Sequence, residues 1–371
     1  MAKEKIKYAL IENDSSYAIK KADSGISGAV VIPDQYNGKP VTCIMKRAFA
    51  DCFELTSVEL LNSIIVIENG AFSFCDSLKE IFLPKNITKI GQNTFNKCSS
   101  LTSITIPDSV TEIGDSAFAD CKELASIAIP DSVTHIKSGA FARCEKLSAL
   151  VIGNCVISIA SFAFSQCCNL SSVTIPDSVS KIGDNAFSHC SNLKSIRLGK
   201  SVKEFGTIDP LGNCVELSSI EVSSENEKYT AEGNCLIQKA GNVLIKGCKN
   251  SVIPDYVKKI EGEAFYGCKG LTAIKIPKNV KTIGYKAFLG CRDLVTVEIF
   301  DGLAEIQGSA FNNCINLESI TIPKSVKKVG DHAFAVCEKI TINVRGFKEK
   351  PDGWDARWNF YNHPVKWDYH D

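Results

Sequence analysis

Apolar residues recur along most of the chain in a pattern that restarts every 23 residues. They stand three, six and eight positions after a cysteine, as Leu124, Ile127 and Ile129 do after Cys121. The last two have the two-residue spacing of a half-buried β-strand, and β-branched residues favour that conformation. Proline, here Pro130, commonly follows and ends the strand, because it has no N–H to give a ladder. Each period therefore predicts one short strand.

The second half of each period predicts a turn and a return segment. In one period it runs from Gly114 to Phe118 and Cys121. Glycine permits the turn, a following Asp or Ser suits an N-cap, and Ala, Phe and Cys share one side of a short helical turn. Such units bury their apolar side only when they are stacked. We predict one α/β repeat solenoid with a parallel strand per coil and short strand or helical returns.

The cysteines follow the repeat rather than a pairing scheme. Stacked parallel side chains keep Cβ atoms about 4.8 Å apart, beyond the usual reach of a disulfide, and a straight column does not converge on a metal. We predict buried thiols acting as small hydrophobic side chains, with no cofactor and no metal; disulfides and redox sensing are the alternatives. Twelve of the 17 cysteines hold the repeat position: Cys52, Cys75, Cys98, Cys121, Cys144, Cys167, Cys190, Cys214, Cys268, Cys291, Cys314 and Cys337.

The repeat also predicts the domain organisation. Residues 1–345 are interpreted as a single solenoid, in which 1–48 supply an N-terminal cap and the first coil. The spacing from Cys214 to Cys268 is larger than two periods, so 214–260 are interpreted as an enlarged repeat with an inserted hairpin. Residues 346–371 hold all three tryptophans, Trp354, Trp358 and Trp367, and predict a C-terminal cap. The alternative for this tail is an aromatic platform for sugar or peptide.

Composition and motifs exclude several classes of function. The 42 basic and 42 acidic residues cancel, which argues against nucleic-acid binding, and no apolar run is long enough to insert into a membrane. The charged start of the chain does not resemble a secretory signal peptide. The five histidines form no metal-binding or triad motif, and no nucleotide-binding fingerprint occurs. We expect a monomer without catalytic residues.

The unit C-x-x-L-x-x-I-x-I-P-x-S-V-x-x-I-G-x-x-A-F, for example from Cys98 to Phe118, resembles the BspA-like, treponemal-type leucine-rich repeat family. The resemblance covers residues 25 to 345. It implies a right-handed solenoid with one parallel strand per coil. Members are typically surface or secreted proteins of bacteria or protists, and several are adhesins for host matrix proteins or other cells. The implied function is non-catalytic binding of protein or glycan at a cell surface.

Strand positions that alternate away from the core predict the binding face. Most are small and polar, such as Ser103 and Thr105, and repeat proteins commonly bind partners on this face. The alternative is that they are ordinary sheet residues. The candidate partner-binding residues are Phe82, Val151, Arg197 and Lys275.

Two further hypotheses remain open. Residues 239–286 contain ten lysines and three acids, which predicts either a solvated face or a surface that steers an acidic partner. An intracellular scaffold or effector is the alternative function, because abundant thiols suit a reducing compartment. A carbohydrate-active enzyme would need paired carboxylates, for which Glu59 and Glu80 are the nearest approach.

Overall fold

The computed structural model describes residues 5–370 in two compact units. Unit 1 holds residues 5–192 and 201–211, and unit 2 holds residues 193–200 and 212–370. Within this part of the chain every regular element is a β-strand and none is a helix. The α/β class and the helical returns predicted from the sequence are therefore wrong, and each unit is a β-solenoid of short strands and turns.

Unit 1 contains two sets of parallel strands that recur once per coil, preceded by a small mixed sheet. Numbered in chain order, the strands are β1 (Ile6–Ile11), β2 (Ser16–Ala22), β3 (Gly28–Ile32), β4 (Gln35–Tyr36), β5 (Lys39–Ile44), β6 (Leu55–Leu60), β7 (Val66–Ile67), β8 (Glu80–Phe82), β9 (Lys89–Ile90), β10 (Glu112–Ile113), β11 (Ser126–Ala128), β12 (His135–Ile136), β13 (Ala149–Val151), β14 (Ser158–Ile159), β15 (Ser172–Thr174), β16 (Lys181–Ile182) and β18 (Glu204–Phe205). The first set pairs β3 with β6, β6 with β8, and β11 with β13. The second pairs β9, β10, β12, β14, β16 and β18 in one ladder.

Unit 2 repeats this arrangement and adds an antiparallel segment. Its strands are β17 (Ser195–Leu198), β19 (Ser219–Val222), β20 (Tyr229–Glu232), β21 (Cys235–Gln238), β22 (Val243–Lys246), β23 (Lys259–Ile260), β24 (Ala273–Ile276), β25 (Thr282–Ile283), β26 (Thr296–Ile299), β27 (Glu305–Ile306), β28 (Ser319–Ile322), β29 (Lys328–Val329), β30 (Thr341–Val344) and β31 (Val365–Lys366). Strands β24, β26, β28, β30 and β31 form one parallel sheet. Strands β20, β21 and β22 pair antiparallel and continue into the parallel ladder β23, β25, β27, β29.

The pairing register follows the sequence repeat. Ile127 of β11 lies opposite Leu150 of β13, one period later. Ile127 is 3% exposed, whereas its neighbours Ser126 and Ala128 are exposed. Because a one-residue slip would turn the apolar set to solvent, burial of one face holds equivalent positions of successive coils in line.

The return segment is a run of turns with left-handed residues. In the coil ending at Cys121, Ser116 has φ 51° and Asp120 has φ 61°. The N–H of Phe118 donates to the carbonyl of Ala140 in the next coil at 2.7 Å, whereas the N–H of Cys121 donates within its coil to Phe118 at 3.2 Å. An α-helix excludes both features, because its residues are right-handed and its N–H groups bond four residues back.

The positions interpreted as turn glycine and N-cap also connect coils. A Cβ on Gly114 would lie 2.8 Å from the backbone nitrogen of Gln92 and from the carbonyl carbon of Gly91, so this glycine allows two coils to approach closely. The carboxylate of Asp115 accepts the N–H of Ser138 in the next coil at 3.0 Å. Stacking of coils, rather than helix capping, accounts for both residue types.

The core consists of side-chain columns along each stack. In unit 1 the phenylalanine rings from Phe49 to Phe187 stack with centroids 5.1–5.7 Å apart. In unit 2 the rings from Phe265 to Phe334 stack at 4.8–5.8 Å. The repeat cysteines are buried and free beside these columns. Each coil thus buries a column segment that its neighbours cover on both sides.

Candidate binding surface

The strand face of unit 1 carries two of the candidate residues. Phe82 ends β8 and Val151 ends β13, with exposed fractions of 58% and 62%. The residue opposite Val151 in the ladder is Ala128, and the residue opposite Phe82 is Glu59. Two large apolar side chains therefore stand out to solvent among smaller or charged neighbours, as the alternation of the strands predicts.

A cavity of about 510 Å³ adjoins Phe82 on this face. Its lining includes Ser103 and Thr105 together with the carboxylates of Glu80 and Asp108. A mixed lining of aromatic ring, hydroxyls and acids can take a partner side chain that is apolar at its centre and polar at its edges.

Sequence reasoning did not select Val31, which belongs to the same apolar set. Val31 is 57% exposed and lies opposite Glu59, so the ladder order is Val31, Glu59, Phe82. The available signal was its place in β3 directly before Ile32 and Pro33, where the repeat puts an outward residue.

The two charged candidates lie on strand faces of unit 2 beside acidic residues. The ammonium of Lys275 on β24 is 3.0 Å from the carboxylate of Glu298 on β26, and its side chain is 76% exposed. Arg197 on β17 is exposed and lies opposite Glu221 on β19. Lys275 is thus paired with an acid of the neighbouring coil, and Arg197 has an acid at the facing position, so neither cation belongs to a purely basic stripe.

A second cavity, of about 610 Å³, surrounds Lys275. Val252 and Phe300 border it with exposed fractions of 71% and 44%, and both were missed by sequence reasoning. Val252 occupies the outward position before Ile253 and Pro254, and Phe300 replaces the proline that usually ends a strand. The sequence therefore indicated both residues, by an apolar side chain at an outward position and by the absence of the usual proline.

Four of the ten lysines in the lysine-rich stretch of unit 2 form ion pairs, one of them the pair of Lys275 with Glu298. Lys249 and Lys269 both contact Glu216, at 3.4 and 2.7 Å, and their hydrogen bonds and charge lower the pKa of Glu216. Lys259 pairs with Glu261 at 2.9 Å, and Lys246 is buried. The excess of ten lysines over three acids in residues 239–286 therefore overstates the exposed positive charge.

The comparisons with known proteins identify the repeat. The model of the BspA type leucine rich repeat region matches six copies over residues 42–167, 111–232 and 245–349. The chain belongs to the BspA-type leucine-rich repeat family. Among proteins of curated function, none matches it.

Solved structures of bacterial leucine-rich repeat proteins are similar to this BspA-type chain. A leucine rich cell surface protein of Faecalibacterium prausnitzii is 31% identical, with a TM-score of 0.69 over 99% of this chain and 94% of that one. A leucine-rich repeat protein of Bacteroides ovatus is 22% identical, with a TM-score of 0.69 over 98% of each chain. The pneumococcal vaccine antigen PcpA is 17% identical, with a TM-score of 0.55 over 100% of this chain and 98% of that one. The last two show a shared fold.

Burial changes the titration of several thiols in this BspA-type chain. Burial raises the pKa of the thiols of Cys52, Cys235 and Cys268 to about 12, so these sulfurs stay protonated at neutral pH. Within residues 5–370 no cluster of three potential metal ligands occurs, and no helix suited to crossing a membrane is found. Repeats of this family are typically non-enzymatic scaffolds.

The acidic pair considered for catalysis is not directly opposed. The register places Glu80 opposite Ser57, and Glu59 opposite Phe82. The two carboxylates are therefore diagonal neighbours, for which Cα separations of about 7–8 Å are usual in a sheet. The separation of about 5 Å expected for directly facing residues of neighbouring strands therefore does not apply to this pair.

The aromatic tail divides into a buried and an exposed part. Trp354 and Trp358 are 2% and 5% exposed, and their rings lie 4.8 Å apart. Trp358 packs edge-on against Phe334, a member of the ring column in unit 2. Phe360 and Tyr361 are exposed instead. The tryptophans thus cover apolar core, and an aromatic platform would have to use Phe360 and Tyr361.

Proposed function

We propose that this BspA-type repeat protein is a non-catalytic, adhesin-like binding protein, which displays its strand faces at the cell surface and binds a protein or glycan as a monomer. The observation that carries the proposal is the pair of cavities on these faces, one beside Phe82 and one beside Lys275. The similar Faecalibacterium prausnitzii protein is described as a cell surface protein, which supports the location.

The binding mechanism follows from the repeated geometry. Coils about 4.8 Å apart present small polar side chains in rows, with Phe82 and Val151 as apolar anchors. Exposed apolar side chains become strong contacts when a partner excludes water from them. Individually weak contacts add up when a partner engages several coils at once. Matrix proteins, mucins and other bacterial cells are the proposed partners.

Location is the first test. The source cells are fractionated and treated with protease from outside, and the chain is detected with an antibody. We expect the protein to be accessible on intact cells. A screen against matrix proteins, mucins and bacteria should then give a partner whose binding is lost in Phe82→Ser. The matched control is Phe162→Ser, which removes a phenylalanine 47% exposed in a turn of the same unit. Equal loss in both variants, or no binding in the screen, contradicts the proposed face.

The second candidate function is an intracellular scaffold or effector that binds a protein partner. The observation that favours it is the set of free, mostly buried cysteines, since such thiols persist most readily in a reducing compartment. Retention of the chain in the cytosol, inaccessible to protease on intact cells, would select this function. Affinity capture from cytosol with wild-type protein and Phe82→Ser would then identify partners of the strand face.

A further inference from the structure

The turns of unit 1 enclose a polar cavity that the strand-face proposal does not use. Its volume is about 390 Å³, within the ~300–1,000 Å³ typical of small-molecule sites. Three successive coils contribute to its lining, which consists of Lys46 and Arg47, then Asn69, Gly70, Ser73 and Phe74, then Gln92, Asn93 and Asn96. The cavity is therefore built by return segments, on different residues from those that line the cavity beside Phe82.

A buried hydroxyl without a partner lies in this lining. Ser73 is 2% exposed, and its Oγ has no hydrogen-bond partner among the described residues. Elsewhere in unit 1 the equivalent position is satisfied, because the hydroxyls of Ser165 and Ser188 bond each other at 2.9 Å. Buried polar groups in native proteins nearly always have a partner. Ser73 is one of six residues with such an unpartnered atom in the described part of the chain, and it is the one of them that lies in the lining of this cavity.

Uncommitted amides surround Ser73. The Oδ1 of Asn69 accepts the backbone N–H of Gln92 at 2.9 Å, and its amide nitrogen donates to no described residue. The side-chain amides of Gln92 and Asn93 make no hydrogen bond within residues 5–370. Each amide offers both donors and an acceptor. This combination matches a ligand with several hydroxyl groups, each of which both donates and accepts.

The charge of the cavity narrows the ligand class. Its described lining contains the cations Lys46 and Arg47 and no carboxylate. Arg47 is engaged by Asp51 at 3.0 Å, and the carboxylate of Glu68 accepts the backbone N–H of Lys46 at 2.7 Å. The ammonium group of Lys46 has no ion-pair partner in the described part of the chain. We propose that this cavity binds one residue of an acidic saccharide, with its hydroxyls on Ser73 and the amides and its carboxylate near Lys46.

The experiment uses the full chain and defined probes. Methyl glucuronide, methyl glucoside and N-acetylneuraminic acid are titrated by calorimetry, with saturation-transfer NMR to detect weak binding. An acidic sugar is expected to bind more tightly than methyl glucoside. Ser73→Ala and Gln92→Ala should each weaken it about tenfold, the effect of one lost hydrogen bond in a polar site. Lys46→Gln should remove the preference for the acidic sugar.

Stability measurements separate a ligand site from an ordinary packing defect. Ser73→Ala removes an unpaired buried hydroxyl, so thermal stability should hold or rise while sugar binding falls. The matched control is Ser165→Ala, which leaves the buried hydroxyl of Ser188 without its hydrogen-bond partner. Its thermal stability should fall while its sugar binding is kept. Phe82→Ser should leave sugar binding intact, which makes this result independent of the strand face. Absence of binding to all three probes, or equal affinity in wild type and Ser73→Ala, overturns the proposal.

Discussion

The thiol of Cys121 donates a hydrogen bond to the carbonyl oxygen of Phe95 in the preceding coil, with Sγ and O 3.2 Å apart. The same contact recurs at 3.0–3.3 Å along both cysteine columns, for example from Cys75 to Phe49 and from Cys337 to Phe311. A cysteine at this position therefore fills space as a small hydrophobic side chain and also donates to a carbonyl that lies inside the stack. Alanine fills less of this space and has no side-chain donor.

Replacing this thiol tests both roles. Cys121→Ala is expected to lower the free energy of unfolding by about 1–3 kcal/mol, since it removes a buried sulfur and leaves the Phe95 carbonyl with one donor fewer. Cys121→Ser keeps a hydroxyl donor for this carbonyl. Its free energy of unfolding should therefore fall by less than an equal loss of buried volume without a donor would cause. Urea denaturation of both variants checks this. The control is Cys168→Ala at a partly exposed neighbour of the column, where a change within about 0.5 kcal/mol is expected.

Buried thiols also predict an alkaline loss of stability. Burial raises the pKa of Cys235 from 9.0 to about 12. Above pH 9 the unfolded state releases this proton and the folded state keeps it, so the stabilisation present below pH 9 is lost as pH rises toward 12. Each such thiol lowers the free energy of unfolding by about 1.4 kcal/mol per pH unit in that window.

Unfolding curves from pH 8 to 11 measure this slope. Cys235→Ala should make the decline shallower by about one proton per molecule. In the native protein at pH 8, a thiol reagent should modify Cys155 and Cys168 first and the columns only after unfolding. Identical slopes in wild type and Cys235→Ala would show that this thiol does not titrate on unfolding.

The strand pattern was predictable because it depends on the side chains of single coils. Ile127 and Ile129 alternate with outward residues, and that alternation is visible in the letters. The return segment was not predictable in the same way. Ser116 and Asp120 take left-handed conformations and donate their backbone N–H groups to carbonyls of the next coil, at Ser138 and Ala142, which lie 22 residues away in the sequence. Hydrogen bonds between stacked coils therefore outweigh the propensity of this segment for a helical turn.

The candidate surface also combines features that a single coil determines with features that depend on stacked coils. Outward residues such as Phe82 and Val151 follow from alternation alone. Neutralisation of Lys275 by Glu298 depends on the register of two coils, and the cavity around Ser73 depends on three. Asparagine and glutamine at 69, 92, 93 and 96 looked like ordinary turn residues, because their shared cavity exists only after stacking.

Close approach of coils gives a backbone prediction. Gly114→Ala is expected to destabilise unit 1 by about 1–3 kcal/mol, because the new methyl would overlap the backbone at Gly91 and Gln92, 2.8 Å away. Gly25→Ala is the matched control, since its Cβ would meet only the side-chain oxygen of Asp23 at 3.2 Å. Thermal unfolding compares the two. Similar melting temperatures for the two variants would show that the coils can move apart at Gly114 without a loss of stability.

The tryptophans of the tail decide between a cap and a ligand site. Trp354 is 2% exposed and contacts Trp358 and Phe347, so Trp354→Ala should lower the free energy of unfolding by about 3–5 kcal/mol. Phe360→Ala, which removes a ring that is 53% exposed, should leave stability within about 0.5 kcal/mol of wild type.

Denaturation and partner binding are measured on both variants because the two roles predict opposite results. For a cap, Trp354→Ala unfolds at lower denaturant and the protein that remains folded binds its partner normally. For a ligand platform, Trp354→Ala keeps its stability and loses binding. Loss of binding in Phe360→Ala with normal stability would instead place a ligand on the exposed rings, beside His332, whose ring centroid lies 4.6 Å from that of Phe360. Burial of Trp354 favours the first outcome, since a side chain that is 2% exposed cannot stack on a ligand without leaving the core.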